Sequence, residues 1–175
     1  MHFEKVSLEQ WKKDACAIYY ENKPFDELQP VIKEDIVKSW ESIKLPQRSS
    51  IGSAGYDFYI PYYSYIMHDS SGTILTGIRW VVDRCEQNSV LMLFPRSGLG
   101  CNYGMRLMNT VGIIDSDYWQ SDNQGHIIAK INVEYSIKLE KNKAFMQGVI
   151  LSFGKVDDDS VTTLRNGGFG SSDKR

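Results

Sequence analysis

The chain has 175 residues, 42% of them hydrophobic and 24% charged, the texture of a globular protein with room for one ordinary domain. A chain of that length buries on the order of 70% of its unfolded surface, so it needs no disulfide or metal staples. Twenty basic against 22 acidic residues give a net charge of -2, without the basic excess of a nucleic-acid or membrane-surface protein.

Cys16, Cys85 and Cys101 are odd in number and irregularly spaced, which fits reduced intracellular thiols better than a disulfide framework. No CxxC spacing suggests a metal site. No apolar run approaches a membrane span, and Met1-His2-Phe3-Glu4-Lys5 lacks the apolar core of a signal peptide. Cytoplasm is the expected compartment.

The first elements are helical. Ser7-Leu8-Glu9-Gln10 fits a capping box in which Ser7 caps and Gln10 reaches back. That helix is expected to run to about Asn22, before Pro24. A second is expected from Pro30, which suits a first helical turn, to about Lys44. Ile32, Ile36, Trp40 and Ile43 would form its apolar stripe. Residues 1–44 thus read as a helical extension, docked on the main domain or on a neighbouring subunit.

From Leu45 to about residue 155 the texture is that of strands. Tyr56 to Ile60, Ile74 to Val82 and Val90 to Phe94 are short, apolar or aromatic, and bounded by Gly, Pro, Asp and Ser. Ile127 to Leu139 alternates apolar and polar residues throughout, which predicts one long strand with a buried face. Val149 to Phe153 makes another. Many short strands argue a mainly β sandwich or barrel. Residues 156–175 form a polar, glycine-rich tail with too little apolar area to order itself.

One stretch stands out. Asn109-Thr110-Val111-Gly112-Ile113-Ile114 reads as a strand, and Asp115-Ser116-Asp117-Tyr118-Trp119 follows as a turn. A hairpin with a carboxylate at its mouth suits a general base, although two aspartates also simply make turns. Pro95-Arg96-Ser97-Gly98-Leu99-Gly100 reads either as an anion loop or as an ordinary turn. In the tail, one arginine, one phenylalanine and two serines amid glycines could clamp phosphate and base.

Taken in order, Gly52-Ser53-Ala54-Gly55-Tyr56-Asp57, Pro95 to Gly100, Asn109 to Tyr118, Gln147-Gly148 and Gly167-Gly168-Phe169-Gly170-Ser171-Ser172 resemble the five motifs of the trimeric dUTP diphosphatases (dUTPases). The resemblance runs from about Leu45 to Ser172. It implies a jelly-roll or β-barrel subunit in a three-fold trimer, with active sites between subunits and a flexible C-terminal arm as lid. It implies hydrolysis of dUTP to dUMP and pyrophosphate, with Mg²⁺ on the triphosphate. That reaction keeps uracil out of DNA and supplies dUMP for thymidylate synthesis.

By the same resemblance, Asp115 holds and deprotonates the attacking water. Tyr118 packs on the deoxyribose and excludes a 2′-hydroxyl. The main chain of Gly112, Ile113 and Ile114, with the Asn109 amide, reads the uracil edge. Arg96, Ser97 and Gly98 form the phosphate loop, and Gln147 contacts the phosphate chain. Arg165 forks onto the γ-phosphate, Phe169 covers the uracil, and Gly170, Ser171 and Ser172 cradle the terminal phosphates. Asp57 is a supporting group. No dedicated metal ligands are expected, and His2, His68 and His126 are read as non-catalytic.

The chain departs from the family pattern in three places. Gln120 stands where a glycine is usual, and Gly125 follows an extra loop from Trp119 to Gln124, so that Trp119 is a further candidate contact. Arg165 lies one residue from Gly167 where two are common. Asp173 replaces a small residue. Two rivals are a dCTP deaminase on the same fold, for which Lys130 stands where a glutamate is required, and a dUTP-binding regulatory module.

Overall fold

In the computed structural model, residues 1–163 are described. The capping serine works as expected at one end of α1 (Leu8–Tyr19): Ser7 Oγ accepts from the Gln10 amide at 3.1 Å. The second half of the box does not form. The Gln10 side chain donates to Asp14 at 3.0 Å, and the Ser7 amide is taken by Gln124 Oε1 at 2.9 Å. α1 stops at Tyr19 rather than Asn22, because Glu21 and Asn22 turn left-handed with φ of 51° and 61°. α2 (Pro30–Glu41) starts at the predicted proline and ends short of Lys44. Its stripe faces inward, with Ile36 and Ile43 buried and Ile32 and Trp40 packed beside them.

The two helices are part of the core. Trp11 is fully buried and its indole N–H donates to Ile36 O at 3.0 Å, while the Trp40 indole donates to Val6 O at 2.9 Å. Trp11, Ala15 and Ile36 belong to the same apolar cluster as Phe58, Leu91 and Phe145. Truncating a tryptophan buried this way typically costs about 3–5 kcal/mol.

The rest is mainly β and jelly-roll-like, with antiparallel pairing throughout the described ladders. A five-stranded sheet has the order β2 (Gln47–Arg48), β3 (Gly55–Tyr59), β12 (Ala144–Ser152), β7 (Ser89–Pro95), β9 (Gly112–Asp115). A three-stranded sheet has β10 (Ile128–Asn132) between β5 (Ser71–Leu75) and β8 (Arg106–Leu107). β1 (His2–Lys5) pairs with β6 (Ile78–Val81), and β4 (Ser64–Ile66) with β11 (Ile137–Leu139).

Two predicted strands are broken. Ile74 to Val82 divides at Thr76-Gly77, where Gly77 has φ +70° and Thr76 Oγ1 donates to Ile127 O at 2.6 Å. A Cβ on Gly77 would lie 2.2 Å from Ile43 Cδ1 and 3.3 Å from the Trp11 ring, so this glycine is where the helices seat. Ile127 to Leu139 divides after Asn132. The amides of Glu134 and Tyr135 both donate to Tyr103 O, at 3.0 and 3.2 Å, which removes them from any ladder. The alternation survives the break at Val133, Ile137 and Leu139, all buried, whereas Tyr135 is exposed.

The predicted hairpin is also different. β9 is laddered to β7, not to β10, and the chain between them passes through a 3₁₀ turn, Tyr118–Gln120. The amides of Gln120 and Ser121 are claimed by Asp117 O and Tyr118 O, so the strand cannot continue. Pro95 to Gly100 is not a loop but the entry to a short helix, α3 (Ser97–Tyr103).

Candidate active site

A pocket of about 420 Å³ opens between β9 on one side and β8 and β10 on the other. Its lining includes Asn109, Gly112, Ile113, Ile114 and Tyr118, all five drawn from the stretch that the sequence singled out. β9 forms one wall through its ladder to β7, with Gly112 opposite Leu93 and Asp115 opposite Val90. A Cβ on Gly112 would sit 3.0 Å from Leu93 Cβ. The close approach that this glycine permits is therefore made by the neighbouring strand. Asp115 ends β9, one residue past the lining and partly exposed, which puts a carboxylate at the rim.

The second wall is Tyr118 and the loop behind it. Tyr118 is only 7% exposed. Its hydroxyl donates to His126 O at 3.2 Å and accepts from Asn123 Nδ2 at 2.9 Å. Ser121 closes the turn, its amide and hydroxyl both donating to Tyr118 O, at 3.0 and 2.7 Å. Asn123 Oδ1 accepts from Ser121 Oγ at 2.7 Å and from the Gly125 amide at 3.1 Å. Gly125 is in the left-handed region, and a Cβ there would lie 2.4 Å from Trp119 Cα. The loop thus folds onto its own backbone. Trp119 does not line the pocket, and its indole nitrogen is buried without a hydrogen-bond partner among the described residues.

A second group gathers elsewhere on the sheet. Arg96 donates to Asp57 Oδ2 at 3.1 Å, so the predicted loop arginine and the predicted supporting aspartate form an ion pair. Asp57 lies opposite Gln147, and Gln147 opposite Phe94. Ser97 and Gly98 open α3, where first-turn amides precede the intrahelical ladder and favour an anion. The Leu99 and Gly100 amides fold back onto Arg96 O, at 3.0 and 2.9 Å. A guanidinium, a hydroxyl and open amides at one corner suit phosphate.

The two groups do not meet within the chain. Asp115 is level with Val90 at one end of β7, and Arg96 follows Pro95 at the other. Six residue steps from Val90 to Arg96 separate them by roughly 20 Å of extended strand. Arg165, Phe169, Gly170, Ser171 and Ser172 lie outside the described residues.

Sequence reasoning missed what holds the second wall. His126 is fully buried; the Gly77 amide donates to its Nε2 at 2.8 Å, which leaves Nδ1 to carry the proton and donate to Asp14 Oδ2 at 2.6 Å. Gln124 bonds Ser7 twice, at 2.9 and 3.0 Å. These partners are 49 to 117 residues apart in the chain, so no local pattern could have shown them. α1 is also fastened by its last residue. Tyr19 donates to Thr73 O at 2.7 Å, its hydroxyl lies 2.6 Å from that of Tyr62, and the Leu75 amide donates to Tyr62 at 2.8 Å. Burial, reinforced by Tyr19, pushes the Tyr62 phenol well above the ordinary tyrosine value.

Among the described residues no group of three or more His, Cys, Asp or Glu side chains is arranged to hold a metal ion. No described helix is long and apolar enough to cross a membrane.

The family model for dUTPase matches residues 41–173. The deoxyuridine 5′-triphosphate nucleotidohydrolase of Lactococcus lactis is 33% identical over 134 residues, which span 74% of this chain and 87% of that protein. The enzyme of the same name from Haemophilus ducreyi is 35% identical over 140 residues, 75% of this chain and 88% of its own. Among solved structures, the dUTPase of Streptococcus mutans superposes with a TM-score of 0.62 at 26% identity, covering 90% of this chain and 99% of that one. A mutant dUTPase of phage phi11 of S. aureus, whose structure describes a structural Mg(II) ion, shares the fold at a TM-score of 0.57 and 15% identity, covering 70% of this chain and 92% of its own. The chain belongs to the dUTPase family.

Proposed function

We propose that this chain hydrolyses dUTP to dUMP and pyrophosphate, in a site shared between subunits of a homotrimer. The observation that carries the reading is the pocket itself. The β9 main chain lies on one side, Tyr118 on the other, and the Asp115 carboxylate stands at the rim. Strand backbone can offer fixed donors and acceptors to the uracil edge. Cytosine would leave those groups unpaired, which such a site penalises strongly. Tyr118 walls the sugar against a 2′-hydroxyl.

In the reaction, Asp115 accepts a proton from a water that attacks the α-phosphorus. The bond from that phosphorus to the bridging oxygen breaks, and pyrophosphate leaves with the electron pair. General-base assistance of this kind is typically worth ~10²–10⁴ in rate. Arg96, Ser97 and Gly98 receive the charge that develops on the phosphate oxygens, with Gln147 beside them. Asp57 orients the Arg96 fork through their ion pair. An ion that arrives on the triphosphate, held by phosphate oxygens and water, fits this donor set better than one caged by protein. Mg²⁺ bound in that way supplies charge neutralisation.

The separation of roughly 20 Å between Asp115 and the Arg96 corner supports a trimer, because a neighbouring subunit can supply the half that one chain holds out of reach. Residues 156–175 would act as the arm, with Arg165 on the γ-phosphate, Phe169 over the base and Gly170 to Ser172 around the terminal phosphates. Residues 1–44 form the extension and 45–155 the β domain. Free thiols at Cys16, Cys85 and Cys101 fit a reducing, cytoplasmic setting. A dCTP deaminase is not favoured, since Lys130, where that chemistry needs a glutamate, lines the pocket.

Pyrophosphate release measured across dUTP, dCTP, dTTP and UTP, with and without Mg²⁺, is the test. Release from dUTP alone, dependent on Mg²⁺, is expected; a chain inert toward dUTP overturns the reading. Removing residues 160–175 should abolish hydrolysis and leave thermal unfolding of the remainder nearly unchanged.

A further inference from the structure

We propose that Asp14, acting through His126, positions Tyr118, so that the N-terminal helix sets how strictly the pocket separates deoxyribose from ribose. The proposal rests on Tyr118 being the wall against the sugar.

The side chain of Tyr118 is fixed at its far end by two groups, the carbonyl of His126 and the amide of Asn123. Both belong to the loop that follows it. Ser121 binds that loop to Tyr118 O, Asn123 closes it from within, and Gly125 lies against the Tyr118-Trp119 backbone with no room for a Cβ. Residues 118–126 therefore shift together or not at all. What decides the place of Tyr118 is whatever fastens this unit to the rest of the chain.

Gln124 and His126 fasten the loop to the rest of the chain through their side chains, and both reach α1 or its cap. Gln124 spends its amide oxygen and nitrogen on the Ser7 amide and hydroxyl. The left-handed backbone of Gln124, φ 58°, turns the side chain toward that partner. His126 spans Asp14 on α1 and the Gly77 amide at the break between β5 and β6. Its orientation is over-determined: one nitrogen must accept and the other must donate, so a rotated ring loses both bonds. Asp14 in turn is held by the Gln10 side chain of its own helix.

A wall that excludes one hydroxyl by shape discriminates weakly unless it is stiff. A displacement of about 0.5–1 Å is enough to admit the extra atom. The β9 wall gets its stiffness from a ladder. The Tyr118 wall gets it from a main-chain bond, the Ile127 amide donating to Ile78 O at 2.9 Å, and from Asp14 and Ser7, which hold the loop through its side chains. The longer loop, which departs from the family pattern, thus has the N-terminal helix and its cap as partners.

The experiment compares kcat/KM for dUTP and UTP in the full chain. Asp14→Ala is expected to lower the dUTP/UTP ratio about tenfold, through a higher KM for dUTP and a gain toward UTP. Asp14→Asn, whose amide oxygen still accepts from Nδ1, should keep the ratio within about threefold of wild type. Gln124→Ala removes the other anchor without opening the core, and should lower the ratio about threefold even if Asp14→Ala folds poorly. In a Tyr118→Ala background the Asp14→Ala change should have no further effect on the ratio. Unchanged ratios in both Asp14→Ala and Gln124→Ala overturn the proposal, as does an Asp14→Ala effect that persists without Tyr118. If Tyr118→Ala itself leaves the ratio at its wild-type value, the sugar-wall reading falls. A change with Tyr118→Ala and silence with Asp14→Ala overturns only the role of the helix.

Discussion

The two walls of the pocket beside β9 are built differently. β9 is held by main-chain hydrogen bonds to β7, and these do not depend on which side chains it carries. The Tyr118 wall is held mainly by side chains, from residues 7, 14, 123, 124 and 126, with the Gly77 amide and a main-chain bond from Ile127 to Ile78 beside them. A ladder tolerates substitution and fixes position coarsely. A side-chain bracket fixes position finely and fails when one member is lost. In the proposed function, recognition of the base needs backbone edges and exclusion of one oxygen atom needs a stiff surface, and the two constructions suit those two proposed tasks.

The comparison can be broken first at the carboxylate. Asp115→Asn should reduce dUTP turnover by ~10²–10⁴ with the fold intact, because the residue sits at the end of a ladder held by main-chain bonds. A change of that size in thermal unfolding instead would mean that the β9 wall also depends on side chains. Next come the glycines, one on each wall. Gly125→Ala forces a left-handed φ on alanine and drives a Cβ into the Trp119 backbone, at a cost of about 3 kcal/mol or more. Gly112→Ala meets Leu93 at a tight but adjustable distance and should cost about 1–2 kcal/mol. Denaturant unfolding of the pair measures the difference, and equal values would erase the contrast.

The smallest effect probes the fastening of α1. The phenol of Tyr62 has a folded-state value raised above the unfolded one, so its contribution to stability is complete below about pH 10 and is lost as pH rises through the folded value. Tyr62→Phe should cost about 1 kcal/mol at neutral pH, from the lost hydrogen bonds, and flatten the decline in stability above pH 10. Stability measured from pH 7 to 11 in both chains tests the sign.

The ladder-held parts of the molecule were legible in the sequence, because a period of two and bounding turn residues are local. Tyr56 to Ile60 and Val90 to Phe94 were visible in this way; of the run from Asn109 to Ile114 only Gly112 onward is strand, because Thr110 turns left-handed with φ 67°. The breaks were not. Thr76-Gly77 interrupts an apolar run because Ile127 and the N-terminal helices press on it, and neither neighbour is local. Glu134 and Tyr135 leave the strand because Tyr103 offers its carbonyl. Gln10 fits a capping box by spacing, yet Asp14 and Gln124 compete for the same groups and win. Asp57, Arg96 and Gln147, singled out by their order in the chain, do lie near one another: Arg96 pairs with Asp57, and Gln147 is opposite Asp57 on the next strand. His126 was set aside as non-catalytic, with nothing nearby to suggest that it bridges a helix to a tyrosine.

The bracket between Ser7 and Gln124 also has a bearing on how the protein is made. Its two ends are 117 residues apart. At translation rates of 5–20 residues per second, α1 leaves the ribosome roughly 6–23 s before the loop that it holds. Within that interval the chain also makes Phe58, Gly77 and Leu91, on which Trp11 and Ile36 come to rest. The helix can thus be seated before the loop that it fixes arrives, so the loop meets a partner already in place.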